Sequence, residues 1–253
     1  VAMKNQTRCD LNYIDLFCGS GKCKIEEPFE IVFGSPLIAL SLENPFSNLF
    51  FADKSHDNIA ALQQRCSKSN LFDRIHFYEG DSNQKVHEII SDIEFIEKSK
   101  GKTPNSSLNC AFLDPDGLEL DWETIETLAK LPKMGLIIFY PQNAIDREFL
   151  NEINIPPPTR IDKYLGSQEW RQLIINYQKK PPRFHRTLID MIKSSLKPFG
   201  YLYLKDRELE PLIRMGKKKA PFYRLIYASK NDLGEKFWKA TIKEGPDGQK
   251  SWC

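Results

Sequence analysis

No stretch of the 253-residue chain keeps about 18 apolar residues together, so no segment is expected to cross a bilayer as a helix. The opening residues, VAMKNQTRCD, lack the apolar core of a secretory signal. The six cysteines include no C-x-x-C pair. In that setting they read as reduced thiols, and a cytoplasmic location is expected. His56, His76, His87 and His185 are scattered, so no zinc-type ligand spacing appears and no metal site is expected. An excess of one charge is also missing: 36 basic residues stand against 34 acidic ones, and the average names no partner. Internal repeats and low-complexity segments are absent.

What is present is an ordinary globular composition, 41% hydrophobic and 28% charged, in a chain long enough for one large α/β domain. Five short apolar runs recur with helical stretches between them. They are LNYIDLF (11–17), NLFFAD (48–53), IHFYEGD (75–81), LNCAFLDPDG (108–117) and GLIIFYP (135–141). Continuous apolar runs suit strands covered on both faces of a parallel sheet. The connecting helices carry start signals: Ser35 as an N-cap before Pro36, then SHDNIAALQQRC after the second run. Val86, Ile89, Ile90 and Ile93 follow at helical spacing, and LDWETIETLAKL (120–131) comes next. Residues 141–182 are proline-rich around a helical piece near 167–177 and read as a helical insertion. A helix ending at Gly200 then leads to YLYLKD (201–206) and FYRLIYAS (222–229), read as an antiparallel hairpin. The expectation is a single domain over 1–253: a doubly wound, mostly parallel Rossmann-like sheet of the methyltransferase type, closed by a C-terminal hairpin.

In such sheets ligands bind beyond the carboxyl ends of the strands. Four runs here end in acids or glycines. Asp15, Gly19 and Gly21 flank the first loop, within YIDLFCGSGKCK; Asp53 ends the second run, Asp81 follows the third, and Asp114 and Asp116 close the fourth. The glycine loop has two readings that stay open at this point, a plain turn or a cradle for a nucleoside. Asp53 can accept ribose hydroxyls and Asp81 an adenine amine, with Ser82 or Asn83 capping the next helix. Asp15 can fix the loop or meet a ligand ammonium. The segment CKIEEPFEIVF separates the glycines from the next helix. A pyrophosphate wants a helix N-terminus directly behind the glycines, so this displacement favours a cofactor without phosphates, such as S-adenosylmethionine. Cys18 has no basic neighbour to make it a nucleophile.

YIDLFCGSGK, GSPLIAL, GDSN, FLDPDG, YQKKPPRFHRTLIDMIKSSLKPFGYLYL and FYRLIYASK, in this order and spacing, resemble the three-Cys-motif partner protein family over roughly residues 12–240. The resemblance implies a class I methyltransferase-like fold, S-adenosylmethionine as cofactor, and a partner protein with a three-cysteine, radical-SAM-like motif. The family's glycine-loop motif falls on Asp15 to Gly21, which adds Phe17 to the cofactor-binding candidates. Its G-D-x-N falls on Gly80 to Asn83 and its D-P-x-G on Asp114 to Gly117. Cys18 and Ser20 stand where the family commonly has alanine and proline. DPDG lacks the aromatic of the D-P-P-Y found in amino-methylating enzymes, which weakens base methylation; a β-turn capped by Asp114 is the plainer reading. Asp114 and Asp116 are the candidate catalytic acids. Lys217, Lys218 and Lys219, in RMGKKKAP, are candidate contacts for an anionic partner such as nucleic acid. Two functions remain: a methyltransferase on an unknown acceptor, or a catalytically inactive protein of the same fold that serves as a partner subunit or nucleic-acid-binding module working with a three-cysteine-motif protein. A nicotinamide oxidoreductase is disfavoured by the displaced helix and the terminal hairpin.

Overall fold

A computed structural model describes residues 9–25, 29–177, 180, 183–202, 210–215 and 220–243. In chain order the elements begin β1 (Leu11–Asp15), β2 (Lys22–Ile25), β3 (Glu30–Phe33), α1 (Ser35–Leu40), β4 (Asn48–Asp53) and α2 (His56–Cys66). They continue with β5 (Ile75–Glu79), α3 (Ser82–Ser99), β6 (Leu108–Leu113), α4 (Trp122–Ala129) and β7 (Met134–Tyr140). Then come α5 (Gln142–Glu152), α6 (Arg160–Leu165), α7 (Glu169–Tyr177), α8 (Phe184–Leu196), β8 (Leu212–Met215), β9 (Ala220–Ala228) and α9 (Asp232–Lys243). Seven strands form one sheet in the order β5-β4-β1-β6-β7-β9-β8, and β2 pairs β3 in a separate antiparallel ribbon. Neighbours are parallel from β5 through β6, while β9 is antiparallel to both β7 and β8. This is a doubly wound, mostly parallel α/β fold with an antiparallel C-terminal pair.

By backbone contacts the chain divides into two compact units. The first runs through Asp114 and takes in Leu131–Gly135; the second holds Pro115–Lys130 and the chain from Leu136 onward. In the first unit the strand pleat sends alternate side chains to opposite faces. Tyr13, Leu49 and Phe51 pack with Ala39, Ile59, Leu62 and Cys66 of α1 and α2. Ile14 and Phe50, one residue out of phase, are fully buried as well, and α3 lies against β4. Strands covered on both faces explain the unbroken apolar runs. The exception is a buried asparagine ladder across three strands. Asn48 Nδ2 donates to Asn12 Oδ1 (2.7 Å), and Asn12 Nδ2 donates to Asn109 Oδ1 (2.9 Å). The ladder satisfies these amides while fixing the register of β4, β1 and β6.

The second unit contains α4 to α9 and the antiparallel strands. α5, α6 and α7 fall within the expected insertion. A capping box starts α6, with Thr159 and Asp162 exchanging side-chain and backbone hydrogen bonds, and Gly166 ends it at φ +62°. Gly200, at φ +90°, stops the turn that follows α8. Two local expectations change. Gly34, not Ser35, is the N-cap of α1, and it lends no side chain to the cap. The hairpin strand preceding β9 is 212–215. Of the expected strand at 201–206, Tyr201 and Leu202 are not in a strand and 203–206 lie outside the described residues. The helix α9 and the ribbon β2–β3 had no sequence expectation at all.

Candidate functional site

Parallel pairing places the carboxyl ends of β5, β4, β1 and β6 along one edge. Asp53 and Asp15 are the last residues of β4 and β1, and Asp81 and Asp114 follow β5 and β6, all in the first unit. The structure therefore brings the four strand-end acids to one edge. Asp116 is exposed two residues beyond Asp114, in the loop that opens the second unit. Lys217, Lys218 and Lys219 lie outside the described residues.

Three of these acids, Asp15, Asp53 and Asp81, do different work. Asp15 is wholly buried and accepts from the Phe17 amide at Oδ1 (3.3 Å) and from the Tyr13 hydroxyl at Oδ2 (3.4 Å). Burial pushes its carboxyl up to about 6, against the pull of the Ser35 hydroxyl and the Phe17 amide. Asp15 thus holds the start of the glycine loop from inside, which is the loop-fixing role of the two left open by the sequence. Asp53 holds the middle of the loop. Its Oδ2 accepts from the Gly19 amide (2.9 Å), and its Oδ1 accepts from the Ser55 amide (2.8 Å) and Asn58 Nδ2 (3.0 Å). A carboxylate has about four acceptor positions, so one remains on Oδ2. Asp81 is the N-cap of α3 and accepts from the Asn83 amide (2.9 Å). Ser82 does not cap that helix: its hydroxyl donates instead to the Leu16 carbonyl.

The two loop glycines also separate. Gly19, at φ +58°, would meet nothing within 4 Å if it carried a Cβ, so the backbone there faces open space. Gly21, at φ +79°, is buried, and a Cβ would come within 2.6 Å of Leu62 Cδ1. Gly19 leaves room for a ligand, whereas Gly21 lets helices close on the loop. Arg65 of α2 donates to the Ser20 carbonyl and clamps the loop from outside. Phe17 is half-buried beside these groups. Burial first, and then the charges of Asp15 and Asp53, hold the Cys18 thiol far above its ordinary value, so it is no nucleophile.

The segment between the glycines and α1 proves to be the ribbon β2–β3, and its return is informative. The Gly34 amide donates to the Gly21 carbonyl (2.9 Å), so α1 begins beside the glycine loop after all. The helix is displaced in sequence only. The argument against a phosphate-bearing cofactor therefore loses its footing, and what still weighs against a nicotinamide fold is the antiparallel end of the sheet. Loop anchoring by Arg65 and Ser82 went unread in the sequence, because each acts across the fold on a main-chain oxygen, and that by Asn58 because it acts on the Asp53 carboxylate.

No family model and no curated protein matches the chain. Among solved structures it is similar to protein LPL1258 from Legionella pneumophila, which is described under the family model DUF519. The TM-score is 0.50 at 8% identity, over 96% of this chain and 86% of that one. It is also similar, more weakly, to StiE O-MT residues 942–1257 (TM-score 0.35, 14% identity, 93% of this chain and 74% of that one). A geranyl diphosphate methyltransferase in complex with SAM gives a TM-score of 0.35 at 10% identity, over 88% and 79% of the two chains. The first similarity supports the α/β fold and nothing about activity. The others are too distant to carry an argument. The expected membership of the three-Cys-motif partner family is not shown by any of these comparisons.

Proposed function

We propose that the chain binds S-adenosylmethionine at the acid-lined edge of its first unit and transfers the methyl group to an acceptor. The observation that carries this reading is the open backbone at Gly19, whose amide is tethered to an Asp53 carboxylate with one acceptor position to spare. A ribose hydroxyl would take that position. Asp81 keeps its second oxygen for the adenine amine, and Phe17 supplies an apolar wall. The cofactor supplies an activated methyl group; the chain's own part is to orient the acceptor and hold its proton. Asp114 and Asp116, at the end of β6, are the groups proposed to take or steer that proton. The three-cysteine-motif partner and a nucleic-acid contact at Lys217, Lys218 and Lys219 belong to the same proposal.

Calorimetric titration with S-adenosylmethionine, S-adenosylhomocysteine and NAD tests it. The two sulfur nucleosides should bind and NAD should not. Binding of NAD alone would overturn the reading. Asp53→Ala removes a charge-assisted acceptor and the Gly19 tether together, and should weaken cofactor binding by about 2 kcal/mol. Unchanged affinity would remove Asp53 from the site.

A further inference from the structure

Arg224 sits on β9 opposite Tyr140, the last residue of β7, and opposite Leu212, the first of β8. It is half-buried, and its hydrogen-bond partners are neutral. Nε donates to Gln142 Oε1 (3.3 Å) and Nη1 donates to the main-chain oxygen of Glu210 (3.4 Å). Both bonds lie at the long end of the useful range. Among the described residues no carboxylate pairs with it. The Glu210 carboxylate, itself buried, is engaged by Arg186 and Lys193. Arg186 also reaches Asp190 through Nε (3.1 Å) and Nη2 (2.7 Å). Burial holds Arg224 below the ordinary arginine value. Glu210 opposes that effect, while the charges of Arg186 and Arg214 add to it. Arg214 lies on the neighbouring strand, immediately after a β-bulge between Ile213 and Arg214, a device that re-aims side chains.

A guanidinium taken half out of water and given only long bonds to neutral oxygens is a net cost to folding. Its planar set of donors, with further arginines near enough to act on it, suits the oxygens of a phosphate. We propose that Arg224 anchors a phosphate-binding site in the second unit, with Gln142 orienting the guanidinium and Arg214 as a second cation. The phosphate comes either from a small nucleotide or from a nucleic-acid backbone, and the recognising chemistry is the same for both. The site stands independently of S-adenosylmethionine binding, since it lies on other residues and is read with another ligand.

The test is thermal melting of the full chain with pyrophosphate, adenosine monophosphate or a short single-stranded RNA, at matched ionic strength. Phosphate ligands should raise the melting temperature of the parent protein. Arg224→Met, without ligand, should melt no lower than the parent, and its phosphate affinity should fall by about tenfold or more. Arg224→Lys should keep part of the response, and Arg214→Gln, exposed on β8, should lose part of it without loss of folding. A response to RNA alone assigns the site to a nucleic-acid backbone, and a response to the small phosphates alone assigns it to a nucleotide. A parent protein that responds to none of them overturns the proposal. So does an Arg224→Met that melts lower while phosphate affinity persists. If Arg224→Met does not fold, an unaltered response in Arg214→Gln and Arg224→Lys overturns it equally.

Discussion

Two buried aspartates, one in each unit, have opposite surroundings. Asp15 in the first unit has amide and hydroxyl donors only, and its carboxyl is pushed up to about 6. Asp162 in the second unit is also pushed up by burial. There the fork of Arg171, with Thr159 and Trp170, overcomes burial and brings it down to about 2. Arg171 Nε and Nη2 lie 2.9 and 2.6 Å from the carboxylate, Trp170 Nε1 lies at 2.8 Å, and the Thr159 amide at 2.7 Å. A buried acid with a cation becomes a structural fixture. A buried acid without one is held at a free-energy cost, and such costs gather near functional loops. The candidate site lies beside Asp15.

Removing the fixture should have the largest effect. Asp162→Ala leaves the Arg171 guanidinium without its carboxylate and the Trp170 N–H without its acceptor, and should destabilise the protein by about 3–5 kcal/mol in urea unfolding at pH 7. A loss below about 1 kcal/mol would erase the contrast. Because the folded value of Asp162 lies below the ordinary carboxylate value of 3.8, its contribution is present above about pH 4 and disappears as pH falls towards 2.

Asp15 should behave with the opposite sign. Its folded value lies above its unfolded one, so stability is favoured below about pH 4 and lost as pH rises through about 6. Asp15→Asn should therefore stabilise the protein at pH 8 by about 2–3 kcal/mol, with the gain vanishing near pH 4. A pH-independent change would show that charge is not what strains the site.

The glycines sharpen the comparison within the loop itself. Gly21→Ala meets Leu62 and should cost about 1–3 kcal/mol of stability. Gly19→Ala meets nothing but its own positive φ, and should cost about 1 kcal/mol or less in thermal melting. If cofactor binding falls more in Gly21→Ala than in Gly19→Ala, the assignment of Gly19 as the open position is reversed.

The strands β1, β4, β5, β6 and β7, and the acids at the ends of four of them, were legible because apolar runs with polar stops mark strands packed in the core of a sheet. The ribbon β2–β3 and the first strand of the C-terminal pair were not. Exposed Ile31 and Phe33 give the ribbon β2–β3 no core pattern, and three prolines in a row (156–158) hid the starts and stops around α5 and α6. YLYLK alternates more cleanly than LIRM, so the sequence pattern puts the start of the hairpin's first strand at 201, eleven residues before β8 begins. Within the site, positions could be read but roles could not. Asp15 and Asp53 are both strand-end aspartates in sequence, and only tertiary packing makes one a buried brace and the other a tether with a free lone pair.

The hydrogen bond from Gly34 to Gly21 makes the ribbon β2–β3 an excursion whose two ends coincide. Gly34 lies against the backbone of Gly21, so the twelve intervening residues span almost no distance. Such a segment can be lengthened, shortened or exchanged with little strain on the sheet, since each doubling of a loop costs only about 0.6 kcal/mol. Relatives of this chain can therefore differ in length at this point while keeping the same site, and a foreign peptide can be grafted here without moving Asp15 or Asp53.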